Sequence, residues 1–104
     1  MLIRSQDREC LYNLNTISGL TYQETHDYNR GKEVNTNHEI CIDYGGLADS
    51  IGVYSTKEKA IKVLDMIQDA YTQYGTIKEG LGNVHGAFNF PKCFQTPQDS
   101  EVQI

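Results

Sequence analysis

"YSTKEKAIKVLDMIQDAYTQYG", residues 54–75, decides the fold. Ala60, Val63, Leu64, Ile67, Tyr71 and Tyr74 recur at helical spacing and form one apolar stripe. Ile61 and Met66 widen it, while Lys57, Lys59, Lys62, Asp65, Gln68 and Asp69 occupy much of the remaining surface. Ser55 followed by Glu58 makes an S-x-x-E capping box, with Thr56 as the alternative cap, and Gly75 stands where a C′ residue ends a helix. The spacing therefore predicts a helix over 56–74, about 28 Å long at 1.5 Å per residue. Its stripe needs an apolar surface to cover.

The preceding half supplies that surface. "HEICIDYGG", residues 38–46, alternates: Ile40, Ile42 and Tyr44 share one face, and Glu39, Cys41 and Asp43 the other. Gly45 and Gly46 suit a hairpin reversal, and "SIGVYS" returns as the next strand. "LIRS" at 2–5 and "CLYNL" at 10–14 read as strands joined through the turn "SQDRE", with a further strand after Ser18–Gly19. "HDYNRGKEVNTN", 26–37, is polar and reads as a loop or projecting hairpin tip. The predicted class is α+β: a mostly antiparallel sheet of 4–6 strands in a single domain over 1–104, packed by one long helix in the C-terminal half. The stripe is expected on Tyr12, Leu14, Ile40, Ile42 and Val53. Beyond the helix, "EGLGNVHG" reads as a mobile turn, "AFNFPKCF" as a loop and edge strand, and "TPQDSEVQI" as a surface tail.

Fourteen acidic against nine basic residues give a net charge of −5, which argues against general nucleic-acid binding. The N-terminus carries Arg4 with no apolar run behind it, and no stretch approaches the ~20 apolar residues of a membrane span. A cytoplasmic, membrane-free protein is the expectation. Cys10, Cys41 and Cys93 are widely spaced, form no CxxC pair, and read as reduced thiols filling strands. No metal or cofactor is expected.

Catalytic sets are not evident. "GLGNVHG" has its third glycine out of register for a dinucleotide fingerprint. His26 and His38 become neighbours if they flank a hairpin, but no third ligand stands at metal-binding spacing. Asp43 is the one carboxylate placed to be perturbed by burial. The residues point to binding rather than to an enzyme. Phe88, Asn89 and Phe90 with Lys92 offer flat rings, an amide and a cation for a phosphorylated base. Arg30 and Lys32 flank Gly31, and Arg4 lies near Arg8 at the first turn. Each cluster has a plainer structural role: Phe88 and Phe90 as core at a sheet edge, "RGK" as a solvated turn.

"MLIRSQD", "LYNL", "GVYSTKEKAIKVLDMIQDAY" and a final "F…TPQDSEV" resemble a group of small proteins from phages and prophages of Gram-positive bacteria. These share a similar start, a "YSTEEKALEVLDEIQ"-like helix and an "F.MPQDEEV"-like end. Residues 23–37 and 76–90 fall outside the resemblance. The layout is also similar to anti-defence sponges of the anti-Thoeris type. That likeness implies an oligomer in the host bacterial cytoplasm that sequesters a small nucleotide signalling molecule, cyclic ADP-ribose-like or a cyclic oligonucleotide, without cleaving it. It assigns no residue, so the ligand contacts above rest on side-chain chemistry alone. The alternative is an acidic phage protein that inhibits or adapts a host protein by direct binding. Self-association is expected because one helix on one sheet leaves open strand edges and a second face.

Overall fold

The computed structural model describes the backbone of residues 1–80 and 93–104, and the side chains of residues 1–73 and 93–104. The chain runs β1 (Leu2–Arg4), β2 (Leu11–Asn13), β3 (Gly19–Asn29), β4 (Lys32–Tyr44), β5 (Leu47–Tyr54), α1 (Lys57–Gly80) and β6 (Cys93–Gln95), then a 3-10 turn at Asp99–Glu101. The class is α+β. The strands form two sheets of three, ordered β2-β1-β6 and β3-β4-β5, in place of a single sheet of 4–6 strands. The cause is long-range. β6 enters parallel to β1, with Phe94 opposite Ile3, and completes a small sheet that the N-terminal hairpin alone could not sustain.

Within the larger sheet all pairings are antiparallel. Gly45 and Gly46 both take positive φ (58° and 85°), the two-residue reversal their sequence calls for. Ile40 and Ile42 are fully buried beneath Ala60, Val63 and Ile67 of α1, and Leu20, Tyr22, Tyr44 and Leu64 pack around them. Ile3, Ile51 and Val102 belong to the same core, so the small sheet leans on it as well. Val53 does not join. Opposite Ile40 and Cys41, β5 carries one extra residue, Ile51, and this bulge turns Val53 outward, where it is 42% exposed. Tyr54 takes the inward place. Its ring lies over Gly52, where a Cβ would meet the ring and hydroxyl of Tyr54 at 3.0 Å and Thr96 at 3.1 Å. Its hydroxyl donates to the Pro97 carbonyl at 2.7 Å.

The helix starts one residue later than the capping box places it. Thr56 Oγ1 accepts from the Lys59 N–H at 3.2 Å, whereas the Ser55 N–H and hydroxyl both donate to Asp99. It also continues past Gly75 to Gly80. Of the two readings of segment 26–37 the projecting hairpin holds: it is the outer part of a long hairpin, closed by Arg30 (φ 53°) and Gly31 (φ 78°) between Asn29 and Lys32. The tail is no loose end either: Thr96 and Val102 are buried, and Gln98 donates to the Gln6 carbonyl. Among the thiols only Cys41 is buried, Cys10 and Cys93 being exposed.

Candidate functional site

Two features stand out from the core. The first is an arm, the outer half of the β3–β4 hairpin. Its pairing with β5 ends at His38 opposite Tyr54, so residues 25–37 extend with no third strand among the described residues. At its root the Lys57 ammonium sits 5.4 Å from the Tyr22 ring centre, and Tyr22 shares a 2.8 Å hydrogen bond with His38 Nδ1. Farther out, His26 lies between Glu33 (2.7 Å from Nδ1) and Glu24 (3.5 Å from Nε2), with Thr36 also donating to Glu33. These contacts raise the His26 pKa above its usual value, the Glu33 hydrogen bond being the main cause. Tyr28, 65% exposed, tilts against the His26 ring. The opposite face carries Thr25 bonded to Glu39, and Asp27 bonded to Asn37.

The second is a groove of about 450 Å³ between α1 and the segment leading into β3. Leu14, Ile17 and Leu20 form one wall, Leu64 and Ile67 the other. Tyr71, Gln68 and Ser18 supply the polar groups, and the Tyr71 hydroxyl donates to Asn15 Oδ1 at 3.1 Å across the opening. Its described lining holds no charged side chain.

The residues singled out in the sequence are not gathered into one place. Arg4 lies on β1, paired with Leu11 and Gln95 in the small sheet. Arg30 and Lys32 sit at the arm's tip, in the other sheet. Phe88, Asn89, Phe90 and Lys92 lie outside the described residues. His38 bonds Tyr22 and His26 bonds Glu33, and no group of metal ligands is found among the described residues. Asp43 and Asp49 are both half-buried, and it is Asp49 that engages the phenols, accepting from the Tyr44 hydroxyl at 2.6 Å and from Tyr12 at 3.0 Å. Burial, with Asp49 next, raises the Tyr12 pKa, while the Asp49 hydrogen bond leads in raising that of Tyr44, so both phenols stay protonated donors. Burial also raises the Cys41 thiol, which is accordingly a poor nucleophile at neutral pH. No sequence signal marked the groove, because its walls come from segments some fifty residues apart.

Comparison of the chain with protein-family models, curated proteins and solved structures finds no match. No helix among the described residues is long and apolar enough to cross a membrane.

Proposed function

We propose that the protein is a non-catalytic binder that takes a small nucleotide-type molecule into the groove and withdraws it from solution without cleaving it. The groove carries this reading. Its volume falls within the roughly 300–1,000 Å³ of small-molecule sites, and its apolar walls with a few convergent polar groups are what such sites present. Leu20, Leu64 and the Tyr71 ring offer flat or apolar contact to a base, and Gln68 and Ser18 offer edge hydrogen bonds. An anti-defence role as a signal sponge is what the likeness of layout to sponges of the anti-Thoeris type implies. Thermal shift and calorimetry with cyclic ADP-ribose isomers and cyclic di- and trinucleotides test it. Binding of one class, weakened by Tyr71→Ala and Gln68→Ala, with the ligand recovered intact by chromatography, supports it. No shift with any of them, or a cleaved product, removes it.

A second reading, an acidic adaptor or inhibitor of a host protein, is favoured by one observation. Among the described residues the arm's edges pair with no further strand, which leaves backbone for an incoming one. Its test is pull-down from host-cell lysate at rising salt. Capture that ignores both salt and deletion of residues 24–37 counts against it.

A further inference from the structure

Among the described residues, no strand pairs with the outer edge of β3. At the other side of this sheet, β5 is stitched by Gln6, which donates its N–H to Ile51 O (2.7 Å) and exchanges side-chain bonds with the Val53 backbone. The outer edge of β4 beyond His38 carries Lys32 and a bulge at Val34, two devices that discourage pairing. β3 has neither. "GLTYQETHDYN" contains no Lys, Arg or Pro, and the extra residue of the β3–β4 bulge is on β4, so β3 itself runs without interruption.

We infer that this edge pairs with the same edge of a second copy, antiparallel about a twofold axis at Thr25. Such an axis stands normal to the sheet and pairs residues whose numbers have a constant even sum, since paired side chains share a face. With Thr25 on the axis, His26 meets Glu24 of the second copy, Tyr22 meets Tyr28, Gln23 meets Asp27, and Thr21 meets Asn29. Every charged side chain then faces an opposite or neutral one. An axis at Glu24 or Asp27 sets like charges on each other, and one at Gln23 leaves Asp27 against Gly19 and His26 against Leu20. The groups facing His26 within its own chain are Glu24, Glu33, Thr36 and Tyr28, and a carboxylate from the second copy extends this cluster. The result is one continuous sheet of six strands.

The same register has a consequence for the groove. It brings the second copy's hairpin tip, where Arg30 and Gly31 turn the chain back after Asn29, next to Thr21 and Leu20 at the groove's strand side, with Lys32 one strand farther away opposite Asn29. A cation that the groove's own described lining lacks, that of Arg30, would arrive from the neighbouring chain, a point that rests on the ligand reading while the pairing does not.

Sedimentation of the full chain from about 1 to 100 µM, the range in which micromolar pairing is populated, reads the mass. Twice the chain mass is expected. In a Cys10→Ser, Cys93→Ser background, Thr25→Cys should cross-link to its own copy under mild oxidation, because directly opposed Cβ atoms lie about 5 Å apart. Gln23→Cys should not, its own copy being four residues along, roughly 14 Å away. Glu24→Lys should yield monomer, and adding His26→Glu should restore the dimer, which decides the matter if the cysteine variant does not fold. A monomer throughout overturns the proposal, as does a dimer in which Gln23→Cys links as well as Thr25→Cys or the charge exchange fails to restore mass. Thermal shift on the Glu24→Lys monomer separates the two readings, since pairing can hold whether or not a nucleotide binds.

Discussion

Thr96 and Asp99 show how single residues of the short C-terminal stretch hold the chain together. Thr96 is fully buried, and its hydroxyl has no hydrogen-bond partner among the described residues. A buried hydroxyl without a partner costs about 1–3 kcal/mol of desolvation. Thr96→Val keeps the shape and removes that cost, so its urea midpoint should equal or exceed that of the parent chain. A fall of more than about 1 kcal/mol would show the hydroxyl to be bonded. Asp99 accepts from the Ser55 N–H and hydroxyl and from Lys59, and its carboxyl is held below the ordinary 3.8, chiefly by the Ser55 backbone bond. A depressed folded-state pKa gives stability that is present above the unfolded value and lost as pH falls through the folded one. Asp99→Asn should therefore melt lower than the parent at neutral pH, and the two melting temperatures should converge as pH falls below 3.8 and through the depressed folded-state value. Neither role is legible in "TPQDSEVQI", which by composition is a polar tail. Ser55 reads as a cap because its competitor for hydrogen bonding lies 44 residues away.

Elements were legible wherever local pattern and tertiary demand agreed. The alternation of residues 38–44, the Gly45-Gly46 reversal and the helical stripe need only neighbours in sequence to be recognised. For the outer hairpin the sequence left loop and projecting hairpin side by side, because its strands bury almost nothing: Tyr28 is 65% and Val34 62% exposed, so no apolar period marks them. What holds it besides its backbone ladder is polar pairing across the strands. For the helix start, Thr56→Ala should cost about 1 kcal/mol, the usual loss on removing an N-cap oxygen, measured by denaturant unfolding. An equal loss on Glu58→Ala would instead favour the capping box. The arm should respond to pH on its own. His26 has a folded pKa above its ordinary 6.5, so the stability it contributes is complete below that value and lost as pH rises through the folded one. Hydrogen-exchange protection of amides 24–37, corrected for intrinsic rates, should fall across that window relative to the core, and His26→Gln should flatten the response.

At the scale of the whole molecule, two sheets share one core. Ile3 is the centre of the small sheet, flanked by Tyr12 and Phe94, and it lies in one cluster with Ile40, Ile51, Tyr54 and Val63 of the larger sheet and helix. The small sheet has strands of three residues each, too short to persist alone. Gln6, Tyr54 and Asp99 add hydrogen bonds between the N-terminal hairpin, β5, the helix start and the C-terminal stretch. Such coupling should make unfolding a single transition rather than two. Ile3→Ala removes a fully buried side chain and should cost about 2–5 kcal/mol. The loss should appear equally in far-ultraviolet dichroism, which reads mainly α1 and the large sheet, and in tyrosine fluorescence, which includes Tyr12 in the small one. If instead the small sheet were a loosely attached flap, Ile3→Ala would raise exchange only at amides 2–13 and 93–95 and leave the dichroism midpoint unmoved. The groove gives a second check on the same coupling. Leu14 and Ile17, which follow β2, form the wall facing Leu64 and Ile67, so detaching the N-terminal hairpin dismantles the groove as well. Any ligand held there must stabilise both sheets together and raise the melting temperature without splitting the transition.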